Sequence, residues 1–196
     1  NNLNNIDFFL FPNLDLNFQK ESLELLQIDR KKRLSSKDYR HLFADQITIT
    51  SHPYNILNNP NLDSLNIPNW ICEYLRTNFL KKALQNSKLK VYPEKIYINR
   101  KDSTSLRYII NLKEVENILE KEGFSSLTLA NYSFSDQISL FHNAKKIIGL
   151  HGAGFANLIF CKQNTKVIEL KSNTAGDAVK NLAIKNKLFY DDISCK

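Results

Sequence analysis

Apolar and polar positions between residues 95 and 190 follow a pattern that predicts strands separated by helices. Short, mostly apolar runs occur at 96–98, 127–129, 147–150, 167–170 and 188–190. Between these runs, apolar residues recur at helical spacing. Strands that alternate with helices in this way predict βαβ units. We therefore expect an α/β fold with a Rossmann-like parallel sheet and helices on both of its faces.

Polar residues and a glycine mark the ends of the first two predicted helices. Asn111, with Glu114 three positions later, predicts a capping box at the start of one helix, and Gly123 predicts its end. Ser133 and Asp136 predict the start of the next helix in the same way. Both helices are therefore expected to have well-defined starts.

The amino-terminal part of the chain is less regular. Residues 7–11 predict a strand that ends at a proline, and residues 18–28 predict a helix. Residues 46–50 alternate between polar and apolar types, which predicts another strand. This part is too small for a complete α/β domain, so we interpret it as a partial α/β segment.

A composition change separates the two parts. Residues 55–68 are rich in Asn and Pro and predict a linker, and apolar spacing over 71–80 predicts a helix entering the next domain. We expect residues 1–67 to be the remnant of an amino-terminal domain with its linker. Residues 68–196 are expected to form the Rossmann-like domain.

The sharpest local motif is the glycine turn His151-Gly152-Ala153-Gly154, which follows a predicted buried strand and opens a helix. Glycine permits a tight turn and a close approach of backbone to ligand. Unpaired N–H groups at a helix start suit a diphosphate. A tight turn without a ligand is the alternative. His151, at the strand end, is a candidate contact to phosphate or sugar and a candidate catalytic residue, or else a core histidine.

Three cations and one carboxylate are expected near this turn. Arg100 and Lys101 follow the first strand of the larger part, and Arg107 precedes its first helix. A guanidinium group can donate two hydrogen bonds to phosphate oxygens at once, and it keeps its charge. It can therefore neutralise a leaving diphosphate. Glu169 ends the next strand, where a carboxylate can bind ribose hydroxyls. The alternatives are solvated loop charges and a strand-end salt bridge.

The ligand-binding residues predicted from these motifs are Arg100, Lys101, Arg107, His151, Gly152, Ala153, Gly154, Asn157 and Glu169. The chain contains no Asp-x-Asp pair and no run of His, Asp or Glu at metal-ligand spacing. We therefore expect neither a metal nor a cofactor, and leaving-group stabilisation by cationic side chains instead.

Composition narrows the possible functions. The 196 residues carry a formal net charge of +7, which suits an anionic ligand, but the basic runs lack the interleaved aromatic residues of a single-strand binder. We expect no nucleic-acid partner. No apolar run approaches the length of about 18 residues needed for a membrane span. Three widely spaced cysteines fit a reducing compartment, so a cytoplasmic location is expected.

The ordered set of motifs resembles family 61 glycosyltransferases, which include capsular-polysaccharide enzymes of bacteria and xylosyl- and N-acetylglucosaminyltransferases of eukaryotes. The resemblance covers residues 68–190 well and residues 8–53 more loosely. The matching segments, in chain order, are 100–101, 107–111, 123–124, 136–144, 148–157 and 167–170.

The resemblance implies a GT-B arrangement of two Rossmann-like domains, the carboxyl-terminal one holding a nucleotide-sugar donor, most simply a UDP-sugar. It also implies inverting transfer to a glycan acceptor. Two departures matter. Leu112 stands where the family has an acidic residue. The family's His-Trp-x-x-Asp-like segment has no match, so the general base is expected upstream of this chain, which is then a fragment.

Two other functions fit parts of the pattern. Gly152-x-Gly154 after a strand, with Glu169 after the next, partly matches an NAD(P)-dependent oxidoreductase, although Asn157 replaces the third glycine. A donor-binding domain without catalytic activity is the other alternative. Binding of UDP-sugars rather than NAD separates the first alternative from a glycosyltransferase, and transfer activity separates the second.

Overall fold

The structure is a computed structural model that describes residues 5–51, 63, 65, 67–102 and 108–195. The chain divides into two compact units, Asn1–His52 and Pro53–Lys196. Arg107 and most of the predicted linker lie outside the described residues. Within the described residues, no helix has both the length and the apolar character needed to cross a membrane.

The described part of the smaller unit contains β1 (Phe9–Phe11), α1 (Asn17–Leu25), a 3₁₀ turn (Arg30–Lys32) and β2 (Arg33–Ser35), and the two strands are parallel. The predicted strand and helix are confirmed, although both are shorter than expected. The predicted strand at 46–50 is wrong, because these residues are not in a strand and pair with no strand among the described residues. Ile47 and Ile49 are 70% and 86% exposed, so the alternation there does not reflect a buried face.

From residue 69 onward, the larger unit has a helical segment, as predicted, followed by alternating strands and helices. The segment consists of α2 (Asn69–Leu75), a π-helical turn (Arg76–Leu80) and α3 (Lys81–Asn86). The elements that follow are β3 (Lys95–Ile98), α4 (Leu112–Lys121), β4 (Ser125–Leu127), α5 (Phe134–Asn143), β5 (Lys146–Leu150), a 3₁₀ helix (Ala153–Phe160), β6 (Lys166–Ser172), α6 (Ala178–Lys185) and β7 (Phe189–Cys195).

The five strands of the larger unit form one parallel sheet in the order β4-β3-β5-β6-β7. The predicted α/β fold with a Rossmann-like sheet is therefore confirmed. The chain moves outward from β3 to β4 and then crosses to β5, on the other side of β3. In sheets of this order, ligands bind outside the carboxyl ends of the two strands where the direction reverses, which are β3 and β5 here.

Helices cover both faces of this sheet, as the apolar pattern predicts. On one face, apolar strand residues such as Ile96 and Ile147 pack against Phe141 of α5 and Ala183 of α6. On the other face, a smaller cluster packs against α4. The first face contains most of the core, and it is also the face toward which the 3₁₀ helix folds.

The predicted helix boundaries are largely confirmed. The Ser133 hydroxyl accepts a hydrogen bond from the Asp136 N–H at 3.1 Å, and Gly123 ends α4 with a φ of +78°. The capping box at Asn111 is wrong in its direction. Its side-chain amide donates to the Glu114 carboxylate at 3.0 Å instead of accepting from the backbone. The Asn111 side chain therefore does not cap the first turn of α4.

One strand boundary also differs from the prediction. The second strand occupies Ser125–Leu127, and Leu129–Asn131 forms a 3₁₀ turn. The Asp102 carboxylate accepts a hydrogen bond from the Ala130 N–H at 3.0 Å within this turn. The apolar run at 127–129 therefore marks the strand end and the buried start of the turn, both of which face the core.

Candidate functional site

The candidate site lies where β3 and β5 end. Ile98 and Gly149 are partners in the sheet register, so the residues that follow them emerge side by side. These residues are Asn99 and Arg100 after β3, and the glycine turn after β5. The sheet thus brings together two segments that are about fifty residues apart in the chain.

Arg100 lies directly against the glycine turn. Its Nη1 donates a hydrogen bond to the His151 carbonyl at 3.0 Å. A Cβ atom added at Gly152 would lie 1.8 Å from the same Nη1. The guanidinium therefore occupies the space that a side chain at this position would need.

The other glycines of this segment have packing roles. A Cβ at Gly149 would lie 3.1 Å from the Ile98 Cβ and 3.3 Å from the Phe155 ring. A Cβ at Gly154 would lie 3.0 Å from a methyl group of Leu129. Glycine at these two positions therefore allows the turn and the 3₁₀ helix to pack closely against β3 and the turn after β4.

The predicted helix after the glycine turn is a 3₁₀ helix over its whole length. Asn157, a predicted ligand contact, is buried, and its amide donates to the Gln137 side chain at 3.2 Å. The structure thus uses Asn157 to hold this helix against α5. Ala153 is exposed at the start of the helix. At the other end, Arg76 donates to the carbonyls of Ile159 and Cys161 at 2.7 and 3.0 Å.

His151 belongs to a row of three hydrogen-bonded side chains. Its Nδ1 contacts the Oε1 atom of Glu169, and the Tyr190 hydroxyl donates to Oε2 of the same carboxylate at 2.5 Å. Glu169 is 0% exposed. Burial, followed by the hydrogen bond to Glu169 and its charge, raises the pKa of Tyr190 well above its usual value. The Glu169 carboxylate is enclosed and both of its oxygens are engaged by these partners, and its expected role as a ribose contact stays a prediction.

Lys101 is separated from Arg100 despite being its neighbour in the chain. Its Nζ forms an ion pair with Glu116 of α4 at 3.3 Å. Both residues line a pocket of about 420 Å³ on the α4 side of the sheet, together with Tyr97 and Ser126. Burial, together with the charge of Glu116, raises the pKa of Tyr97. The structure therefore brings Lys101 to α4 and not to the glycine turn.

Two residues of this region were missed by the sequence analysis. Asn99 is buried, donates to the Ser126 hydroxyl at 2.9 Å, and accepts from the Thr128 hydroxyl at 2.8 Å, so it joins the ends of β3 and β4. Tyr190 is the other missed residue. The position of Asn99 at a strand end was an available signal, whereas the contact of Tyr190 with Glu169 depends on sheet register.

Metal ligands do not cluster in the part of the chain that the structure describes. Within residues 5–51, 63, 65, 67–102 and 108–195, no group of three or more His, Cys, Asp or Glu side chains is placed to hold a metal ion. The Arg100 guanidinium instead contacts the glycine turn, and His151 within the turn pairs with the Glu169 carboxylate.

Comparison with protein families gives a match over most of the chain. The family model described as Glycosyltransferase 61 matches residues 7–168. The match includes most of the smaller unit and the larger unit as far as the start of β6.

Individual relatives match over shorter segments. Proteins named EGF domain-specific O-linked N-acetylglucosamine transferase are 36% identical over 73 residues in Xenopus laevis and 34% identical over 93 residues in Rattus norvegicus. These alignments cover 35% and 45% of this chain, but only 14% and 18% of the relatives. The chain thus spans less than a fifth of the length of these proteins.

Proposed function

The chain belongs to glycosyltransferase family 61, and on that premise we propose that its larger unit binds the diphosphate of a nucleotide-sugar donor at the carboxyl edge between β3 and β5. The main support is the position of Arg100, which lies on the glycine turn with its Nη1 3.0 Å from the His151 carbonyl. An anion bound there would contact both the Arg100 guanidinium and the backbone N–H groups of the glycine turn. The strand order of the sheet favours a ligand at this same edge.

The proposed reaction is an inverting transfer. A base removes the proton of an acceptor hydroxyl, the hydroxyl oxygen bonds to the anomeric carbon, and the bond from that carbon to the diphosphate oxygen breaks. The leaving diphosphate keeps the electron pair. Arg100 and the N–H groups at the start of the 3₁₀ helix stabilise its growing charge. We assign the base to no described residue.

Two further residues are part of this proposal. Arg107, which lies outside the described residues, supplies a second guanidinium to the diphosphate. His151 contacts the β-phosphate or the sugar from the strand end. Lys101 is left out of the diphosphate contacts, because it is paired with Glu116 on the α4 side.

The two-domain arrangement and the sugar are also proposals. In a GT-B arrangement, the larger unit is the donor-binding domain, and an acceptor-binding domain includes the smaller unit. The names of the relatives refer to an N-acetylglucosamine transferase, which makes UDP-N-acetylglucosamine the first donor to test.

An NAD(P)-dependent oxidoreductase is the weaker alternative. In that reading, the carboxylate of Glu169 binds the ribose of the cofactor. Glu169 is 0% exposed, and both oxygens are held by His151 and Tyr190. The match to the glycosyltransferase family model weighs further against this alternative.

Calorimetric titration tests the donor site directly. We expect UDP and UDP-N-acetylglucosamine to bind the chain and NAD to bind far more weakly. Arg100→Gln removes a charge-assisted contact, which is worth about 1.5–3 kcal/mol, so UDP affinity should fall about tenfold to a hundredfold. Lys121→Gln is the matched control, because this exposed lysine lies in the last turn of α4, at the other edge of the sheet.

Two results would count against the donor site. One is equal UDP affinity of the Arg100→Gln variant and the unmodified chain. The other is an equal loss in the Lys121→Gln variant, since that loss would reflect net charge alone. A chelator in the buffer should leave UDP affinity unchanged, because the proposed site uses side-chain and backbone donors instead of a metal. Separate assays with an acceptor decide between a transferase and a domain that only binds donor.

A further inference from the structure

The buried carboxylate of Glu169 has a structural arrangement that the donor site does not require. Glu169 lies within β6 and is 0% exposed. An ionised carboxylate in such a place costs free energy unless its oxygens are hydrogen-bonded or paired with charge. The two partners come from the segments on either side, His151 after β5 and Tyr190 in β7.

The sheet register explains how three separate segments meet. Tyr190 is the register partner of Val167, which stands two positions before Glu169 on the same face of β6. On the other side of β6, the backbone N–H of His151 donates to the Leu170 carbonyl at 2.8 Å, which anchors the residue at the end of β5. The side chains of Tyr190, Glu169 and His151 therefore form a row across three strands that ends at the glycine turn.

Hydrogen-bond chemistry gives the direction of this row when the carboxylate carries its charge. An ionised carboxylate can only accept hydrogen bonds, so the ring nitrogen that faces Glu169 carries a proton. That nitrogen is Nδ1 of His151. In a neutral ring with Nδ1 protonated, Nε2 holds the lone pair, and the bond to the carboxylate also fixes the ring orientation.

We propose that Glu169 and Tyr190 are positioning residues for His151: Glu169 holds the Nδ1–H tautomer, Tyr190 holds Glu169, and together they present Nε2 to the ligand at the glycine turn. This inference rests on the proposed donor site for its ligand, but the arrangement itself involves the protein alone. Tyr190 acts only through its neighbours in the row, and its hydroxyl donates to the Glu169 oxygen that is not used by His151.

The tautomer of His151 can be measured without any ligand. Nitrogen-15 NMR of the full chain distinguishes Nδ1–H from Nε2–H rings, and a His151→Gln variant identifies the signal among the four histidines. We expect the Nδ1–H form. His142 is an internal reference, because its Nδ1 lies 3.1 Å from the Phe160 carbonyl, which also only accepts. An Nε2–H ring at His151 in the unmodified chain would overturn the proposal.

A double-mutant cycle tests whether Tyr190 acts through His151. We expect Tyr190→Phe to weaken UDP binding about fivefold, a typical coupling between contacting residues. In a His151→Gln background, the same substitution should have no further effect on UDP affinity. Tyr92→Phe is the matched control, because it removes a hydroxyl that donates to Ser87 at 3.0 Å, away from this row.

The outcomes separate this inference from the donor site. An unchanged UDP affinity of Tyr190→Phe, or an equal loss in the presence and absence of His151, overturns the positioning role while the donor site stands. A chain that binds no UDP but shows the Nδ1–H ring overturns the proposed function, whereas the hydrogen-bonded row is supported. Glu169→Gln is the second variant; its isosteric amide should fold and should change the His151 ring signals but not those of His142.

Discussion

Two buried carboxylates mark two regions of the larger unit with different roles. Asp136, near the start of α5, accepts hydrogen bonds from the hydroxyls of Ser133 and Ser87, both at 2.7 Å, and from the Lys88 N–H at 2.8 Å. Glu169, in the sheet, is held by the side chains of a histidine and a tyrosine. The partners of Asp136 are two hydroxyls and a backbone N–H, whereas one partner of Glu169 is the side chain of His151 in the glycine turn.

The difference suggests how a structural carboxylate can be told from a functional one. The partners of Asp136 join α5 to the end of α3 and satisfy a helix start. The partners of Glu169 instead fix a side chain at the edge where a ligand is expected. We therefore expect substitutions near Asp136 to change mainly the free energy of unfolding, and substitutions near Glu169 to change mainly ligand affinity.

The largest effect on stability is expected for Asp136→Ala. This substitution leaves the Lys88 N–H and two hydroxyls without their acceptor in a partly buried place, at a cost of about 3 kcal/mol of unfolding free energy. Urea denaturation measures this loss. UDP affinity, measured without urea, should remain within about twofold of that of the unmodified chain. A large loss of affinity with unchanged stability would contradict the division between the two regions.

A pair of glycine substitutions tests the same division at one turn. Gly149→Ala forces a Cβ to 3.1–3.3 Å from Ile98 and Phe155, so we expect a loss of about 1–3 kcal/mol in unfolding free energy. Gly152→Ala displaces only the end of the Arg100 side chain and no backbone, so its stability should change by less. Its UDP affinity should fall about tenfold, because the guanidinium leaves the turn. Equal affinity of the Gly152→Ala variant would argue against a role for Arg100 at this site.

The pH dependence of stability provides a smaller effect. Burial disfavours the charged form of Asp136, but hydrogen bonds from Ser133, Ser87 and the backbone outweigh it, so its pKa lies below 3.8. A carboxyl with a lowered pKa stabilises the fold above its unfolded-state value, and this contribution is lost as the pH falls through the folded-state pKa. Urea denaturation from pH 5 downward should show this loss, and Asp136→Asn should make the profile less steep.

The smallest effect is expected at His142. Burial lowers its pKa below 6.5, and the charges of Lys162 and Arg76 add to this, although the Phe160 carbonyl opposes them. The folded state thus resists protonation of this ring, and stability should decrease slightly as the pH falls below about 6.5. Denaturation of a His142→Gln variant over the same pH range checks this, since its profile should lack that decrease.

Local patterns were sufficient to predict most of the larger unit. The buried runs at 96–98, 147–150 and 167–170 are strands, as expected for parallel strands that are covered on both faces and are therefore mostly apolar. Ser133 caps α5 because its hydroxyl accepts a hydrogen bond from the N–H of Asp136, three positions later. Such features depend on residues a few positions apart, which a sequence shows directly.

Features that depend on distant partners were not predictable in the same way. The alternation at 46–50 looks like a strand, but no strand of the smaller unit pairs with it. Glu169 appears from the sequence to end its strand, yet β6 continues to Ser172 and the carboxylate turns into the core. The contact of Glu169 with Tyr190 depends on how β7 is aligned with β6. The proximity of Arg100 to the glycine turn was expected from topology, whereas the turn of Lys101 toward α4 was not.

Gly152 has a φ of 165°, an extended conformation that any residue adopts, so its backbone freedom is not the reason for glycine here. The reason is volume, because the tip of Arg100 fills the place of a side chain. The side chains at positions 152 and 100 therefore compete for the same space, so a bulkier residue at 152 is compatible only with a shorter one at 100. Sequences that share this turn should change the two positions together, and searching for the arginine and the glycine as a pair should identify the turn better than searching for the glycines alone.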